Sequence, residues 1–231
     1  MDYVYVCRDG DNEELKYSIR SVEKNMPPGK IWVVGGKPDW YTGNFLPVEQ
    51  TNKAYSNVRE QIRVACSHEE VSNDFVLMND DFFVINTVKE IPTWYTGTLA
   101  DRIAGLQDMK SHNSGYLRLL IMTNNVIKRS GVKDPLDYEV HVPMIMNKEK
   151  ALTIIRSSAL WRSYYGNKYN IGGVRHDDVK IHSNTLLEDR GRNLIDVSTE
   201  PYISGSDYNF DFLKDAVLDK LFPDASSCES P

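Results

Sequence analysis

The sequence predicts an α/β protein with a parallel crossover at its start, and two observations carry that expectation. Residues 3–7 and 30–34 are short β-rich runs separated by a helix-period stripe, so strand, helix and strand close within 36 residues. A further apolar run at 75–78 follows a second helical stretch and continues the alternation. In such sheets ligands gather at the carboxyl ends of the strands, which makes the loops after them the places to search.

The elements follow in order. After the first strand, Asp11 stands three positions before Glu14, a capping arrangement that predicts a helix start. Leu15, Ile19, Val22 and Met26 fall at i, i+4, i+7 and i+11 as a buried stripe, and Pro27-Pro28-Gly29 ends the helix. The second strand runs into Gly35-Gly36, a helix is expected over 54–68, and the strand at 75–78 leads through Asn79-Asp80-Asp81 into a run at 82–85. Beyond Pro92 the pattern loosens. It predicts helices near 116–128, 147–156 and 210–221, an extended piece at 138–143, and a Tyr/Gly/Asn-rich segment at 164–173 leading into residues 174–178. The expected organisation is one domain over 1–225, with halves at 1–98 and 99–225, and a loose tail at 226–231.

Composition narrows the function classes. The formal charge is −6, with 27 Lys and Arg against 33 Asp and Glu, so no general field draws the chain to nucleic acid or anionic lipid. An anionic ligand would need local arginines or a cation held by carboxylates. Cys7, Cys66 and Cys228 are odd in number and widely spaced, which suits a reducing compartment, and no apolar run reaches the length of a membrane span. The expectation is a soluble, cytoplasmic protein, a monomer or a small homo-oligomer.

Five places could do chemistry. Asn79-Asp80-Asp81 sets adjacent carboxylates at the end of an apolar strand, where a hard divalent cation, Mg²⁺ or Mn²⁺, would offset their burial; the alternative is a solvated turn. His141 alternates with Val140 and Val142 and faces away from the apolar layer, as a proton acceptor or as a structural histidine. Arg175 follows the glycine pair Gly172-Gly173 and either grips a phosphate or pairs with Asp177 and Asp178. Arg8 and Asp9 lie at the first strand–helix junction, positioned to hold a nucleotide without a dinucleotide-binding glycine motif, and Glu60 sits on the helix before the acidic strand between Arg59 and Arg63.

Taken in order, these segments resemble the Stealth family, which includes the lysosomal-enzyme N-acetylglucosamine-1-phosphotransferase and bacterial capsular-polysaccharide phosphotransferases. Residues 11–25, DNEELKYSIRSVEKN, are similar to that family's D-N-E-L-R-Y-S-L-R-S-I-E-K block, with Lys16 where arginine is usual. Residues 31–34 with Pro38-Asp39-Trp40 resemble its next strand and P-x-W turn, 75–83 its F-x-Y-x-N-D-D-x-F strand, 140–144 its H-x-P element, and 174–178 its R-H-x-x-D element. The chain is also similar to compact glycosyltransferase-like proteins of bacteriophages and bacteria.

The resemblance implies a Rossmann-like, glycosyltransferase-A-type mixed sheet flanked by helices, with a C-terminal helical and irregular insertion. It implies a nucleotide-sugar donor, a glycan or glycoprotein acceptor, and transfer of sugar-1-phosphate to a hydroxyl. It places Glu60, Asp81, His141 and Arg175 at positions for catalysis or donor binding. Asp80 and Asp81 then hold the metal, and Arg8, Asp9, Arg20 and Asn79 contact the donor. Two other functions stay open: a metal-dependent glycosyltransferase on the same fold that releases a nucleoside diphosphate, and a non-catalytic carbohydrate-binding protein stacking Trp40, Trp94, Trp161 and some of its 13 tyrosines on sugar rings.

Overall fold

The computed structural model describes residues 1–108, 114–181 and 199–230. They form two compact units, Met1–Ile91 with His141–Lys148 and Val179–Pro231, and Pro92–Val140 with Glu149–Asp178. The division therefore differs from the expected halves at 98/99: the first unit takes back both a central segment and the C-terminal one.

The first unit is built on a five-stranded mixed sheet of order β3-β2-β1-β4-β7. Its strands are β1 (Asp2–Cys7), β2 (Ile31–Gly35), β3 (Asn44–Pro47), β4 (Asp74–Asn79) and β7 (Met144–Asn147). The first four are mutually parallel, with Tyr5 opposite Val33 and Met78, while β7 runs antiparallel to β4. Every residue of β1 and β2 is buried, as expected of strands covered on both faces, and this explains their continuous apolar sequence.

Between β1 and β2 stands α1 (Glu13–Asn25), capped by Asn12 rather than by the expected Asp11, with the Leu15 amide donating to Asn12 Oδ1 at 3.1 Å. Beside its apolar stripe runs a second, polar line one residue out of step, Glu14, Ser18, Ser21 and Asn25, all buried. Its purpose is local. The short strand β5 (Phe82–Val84) pairs on one edge with β9 (Tyr202–Ser204), and α1 completes its hydrogen bonding: the Val84 amide donates to Ser21 Oγ at 2.9 Å, Asn25 Nδ2 donates to Val84 O, and Ser18 Oγ donates to Phe82 O. The two-residue turn Asp80-Asp81 between β4 and β5 is thereby fixed at both ends.

Helix α2 (Ala54–Ser67) packs on β1 and β2. Close approach depends on Gly35, whose φ is +119° and where a Cβ would lie 2.2 Å from both Cys7 O and Gln61 Nε2. A second core gathers Phe83, Ile85, Ile203 and Leu213 around β5, β9 and the C-terminal helical run, which is α-helical at Phe210–Leu213, a π-turn at Lys214–Leu218 and α-helical again at Asp219–Leu221. The tail expected to be loose is instead tied down. Arg20 holds Glu229 at 2.6 and 2.7 Å, the Thr42 amide donates to Cys228 O, and the Ser230 amide to Trp40 O; Pro231 lies outside the described residues.

The second unit gathers α3 (Leu99–Asp108), α4 (Ser114–Arg129), α6 (Trp161–Lys168) and the two-residue strands β6 (Trp94–Tyr95) and β8 (Val174–Arg175). Leu99, Leu120, Ile127 and Leu160 form its core. The extended piece expected at 138–143 is irregular backbone; the strand proper begins at Met144, and α5 (Lys148–Ile154) follows it. Gly173 has φ of +122° and a Cβ there would meet Thr93 O at 2.5 Å, so glycine lets β8 close onto β6.

Candidate functional site

Chain order in the sheet reverses at β1: the chain moves outward through β2 and β3, then returns to place β4 on the other side of β1. Such a switch point leaves a crevice at the carboxyl ends of the two strands. A cavity of about 570 Å³ lies there, lined by Arg8 after β1, Asn79, Asp80 and Asp81 after β4, Glu14 of α1, Gln50, the Ala54, Asn57, Val58 and Gln61 face of α2, and Lys180, Ser206, Asp207 and Tyr208. All belong to the first unit.

The cavity is an ion-pair network with surplus acid. Four carboxylates, Glu14, Asp80, Asp81 and Asp207, meet the cations of Arg8 and Lys180. Asp81 Oδ2 accepts from Lys180 Nζ at 2.9 Å and from Ser204 Oγ at 3.0 Å. Asp80 accepts from Asn12 Nδ2 at 2.6 Å, so the cap of α1 also steers this carboxyl. Burial pushes the Asp80 carboxyl up, and Asp81 beside it pushes the same way. Arg8 forms a two-pronged pair with Asp207 at 2.8 Å on each arm, in the open at 57% and 70% side-chain exposure. On the floor, Gln61 Nε2 at 2.7 Å and Gln50 Nε2 at 3.0 Å both donate to Cys7 O.

Glu14 is the unusual member. Its side chain is 7% exposed, Oε1 is enclosed with no hydrogen-bond donor among the described residues, and Oε2 lies 3.9 Å from Arg8 Nη2. Burial, then Asp80, Asp207 and Asp81, raise its carboxyl to about 7.

The expected residues divide. Arg8, Asn79, Asp80 and Asp81 come together in the cavity. Asp9 sits at its edge, accepting from Gln50 Nε2 at 3.0 Å. His141 is half-buried with its ring edge-on to Phe82, centroids 6.3 Å apart. Glu60 does not line the cavity: it pairs with Arg63 one helical turn on, both 46% exposed, and that pairing lowers its pKa. Arg20 serves the C-terminal tail and lies over the Tyr17 ring. Arg175 is exposed on β8 in the second unit, next to His176, which stacks on Trp94 at 3.7 Å. Sequence reading missed Glu14, Lys180 and Asp207. For Glu14 a signal existed, the polar line of α1; Lys180 and Asp207 carry none.

No three His, Cys, Asp or Glu side chains converge on a metal position among the described residues. The adjacent Asp80 and Asp81, in a cavity whose acids outnumber its bases, still fit a hard divalent cation of the kind held by one or two carboxylates and completed by phosphate oxygens. All three cysteines are buried and free, and no helix of the described residues is long and apolar enough to cross a membrane.

No protein-family model matches this chain, and no curated protein matches it. Among solved structures it is similar to an active-site mutant of LgtC, at 9% identity and TM-score 0.40 over 87% of this chain and 82% of that one. It is also similar to the galactosyltransferase LgtC in complex with donor and acceptor sugar analogues, at 11% identity and TM-score 0.36 over 100% and 84%. The apo-form glycosyltransferase GlyE of Streptococcus pneumoniae TIGR4 matches at 6% identity and TM-score 0.29 over 67% of this chain, which spans 42% of that one. The assignment to a mixed α/β sheet flanked by helices stands on the strand order and register themselves.

Proposed function

We propose that the chain is a nucleotide-sugar-dependent transferase whose donor lies across the carboxyl ends of β1 and β4. The observation that carries this reading is the cavity at the switch point, where Arg8 and Lys180 face Asp80 and Asp81. The forked Arg8 guanidinium already holds a carboxylate in the geometry it would use for a phosphate, so the donor pyrophosphate can take the place of Asp207. Asp80 and Asp81 are the residues that would hold Mg²⁺ or Mn²⁺, and the ion would supply charge neutralisation at the pyrophosphate.

Of the two reactions such a donor supports, we favour transfer of sugar-1-phosphate: an acceptor hydroxyl attacks the β-phosphorus and a nucleoside monophosphate leaves. The support is the resemblance of residues 140–144 and 174–178 to the histidine and arginine elements of the Stealth family. In this reading His141 takes the hydroxyl proton or donates to a phosphoryl oxygen. The acceptor is a hydroxyl of a glycan or glycoprotein. The test is incubation with Mn²⁺ and a panel of nucleotide sugars, with identification of the released nucleotide. A monophosphate lost in Asp81→Asn supports the proposal; a diphosphate assigns glycosyl transfer instead; no nucleotide release from any donor removes the transferase reading.

A further inference from the structure

We infer that the Glu14 carboxyl receives a carbohydrate hydroxyl of the bound nucleotide sugar, an inference that rests on the donor reading above. The starting point is that the described residues leave one oxygen of this side chain without a hydrogen bond. It lines the cavity and is all but enclosed, its Oε1 has no hydrogen-bond donor among the described residues, and Oε2 has a long ion pair with Arg8 Nη2 at 3.9 Å. A buried carboxyl in that condition destabilises the free protein, and an apolar side chain would fill the position at lower cost. The helix does not require it either, since Glu13 alone gives α1 an acidic first turn and Asn12 caps it.

The surroundings then select the missing partner. Glu14 shares the cavity with Asp80, Asp81 and Asp207, and the cations there that suit a phosphate are Arg8 and Lys180, so phosphate oxygens are better held by those two side chains than by Glu14. A metal shared by three acidic groups is disfavoured because no such set converges among the described residues. What remains is an uncharged O–H donor carried by the ligand, and a nucleotide sugar brings these on two rings, the ribose and the transferred sugar. Either would also bring Glu14 the hydrogen bond its place in the fold denies it.

Calorimetric titration of the full chain in Mn²⁺ with UDP, ADP, GDP and dTDP, and with the glucose ester of each, tests the inference and separates the two rings. Glu14→Ala is expected to weaken binding about 10- to 100-fold, the range of a hydrogen bond to a charged group. A loss confined to the glucose esters assigns the hydroxyl to the transferred sugar, and an equal loss for ester and free diphosphate assigns it to the ribose. Glu14→Gln, which keeps the shape and a weaker acceptor, is expected to lose about fivefold and carries the test if the alanine variant fails to fold. Affinities within twofold of wild type in the folded variants overturn the inference and leave the donor reading standing. Absence of binding to the wild-type chain by all eight compounds overturns both.

Discussion

Helices α1 and α2 each carry a glutamate at the sheet, and the two differ in nearly every physical respect. Glu60 of α2 has an arginine one turn away, stays 46% exposed, and ionises more easily than usual. Glu14 of α1 is enclosed, its Oε1 has no hydrogen-bond partner among the described residues, and it keeps its proton up to about 7. A satisfied surface acid has little left to offer a ligand, whereas an unsatisfied buried one changes the energy of whatever arrives. Proximity of a carboxylate to basic residues in the sequence is therefore a poor guide to a site; lack of compensation is a better one.

The contrast can be tested by substitution. The largest effect is expected at Asp81, the compensated acid within the cavity. Asp81→Ala should lose about 100-fold or more in donor turnover. It should also cost roughly 3 kcal/mol in urea unfolding, because Lys180, only 18% exposed, is left without its counter-charge. Asp81→Ala with Lys180→Met should recover most of that stability and none of the turnover.

Next comes Glu14→Gln in the ligand-free protein. The folded carboxyl titrates near 7 against an ordinary 4.5, so the native state holds the extra proton between these values and wild-type stability falls as pH rises through that window. The variant lacks this loss. Its advantage should be absent below about 4.5, grow with pH, and level above 7 at no more than about 3 kcal/mol, read as a melting temperature higher by several degrees. A constant difference across pH would contradict the account of Glu14.

A smaller effect is expected at the Arg8 and Asp207 pair, which solvent screens. Asp207→Asn should tighten nucleotide binding about threefold by freeing the guanidinium, and Arg8→Met should weaken it and flatten its dependence on salt. Glu60→Gln should change stability by less than about 0.5 kcal/mol and leave nucleotide affinity alone, as measured by denaturation and titration; a large loss of affinity would reverse the comparison.

Much of the first unit was legible because its elements are long and strongly patterned. The stripe of Leu15, Ile19 and Val22 and the apolar runs of β1, β2 and β4 decide their own structure. The strands β3, β6, β8 and β9 have four residues or fewer and take their state from a partner, which local sequence does not show. Helix α6, with Gly166 among tyrosines, reads as a loop until Gly166 is seen to seat against the Tyr138 ring, where a Cβ would come within 2.5 Å. In the cavity Asp80 and Asp81 stood out because two acids end an apolar strand. Glu14 was hidden by a sufficient local explanation, helix capping, and Lys180 and Asp207 reach the site only through β9 and its flanks.

The edge of β5 has a further consequence, in time rather than in space. One side of this strand is closed by α1, with Ser21 and Val84 63 positions apart in the chain, but the other needs β9, separated from it in sequence by the whole second unit. Long loops must close before such a pairing forms, which slows it relative to local structure. The Asp80-Asp81 turn at the start of β5 should thus be among the last parts to settle. After dilution from urea, far-ultraviolet ellipticity should return ahead of the capacity to bind a nucleotide.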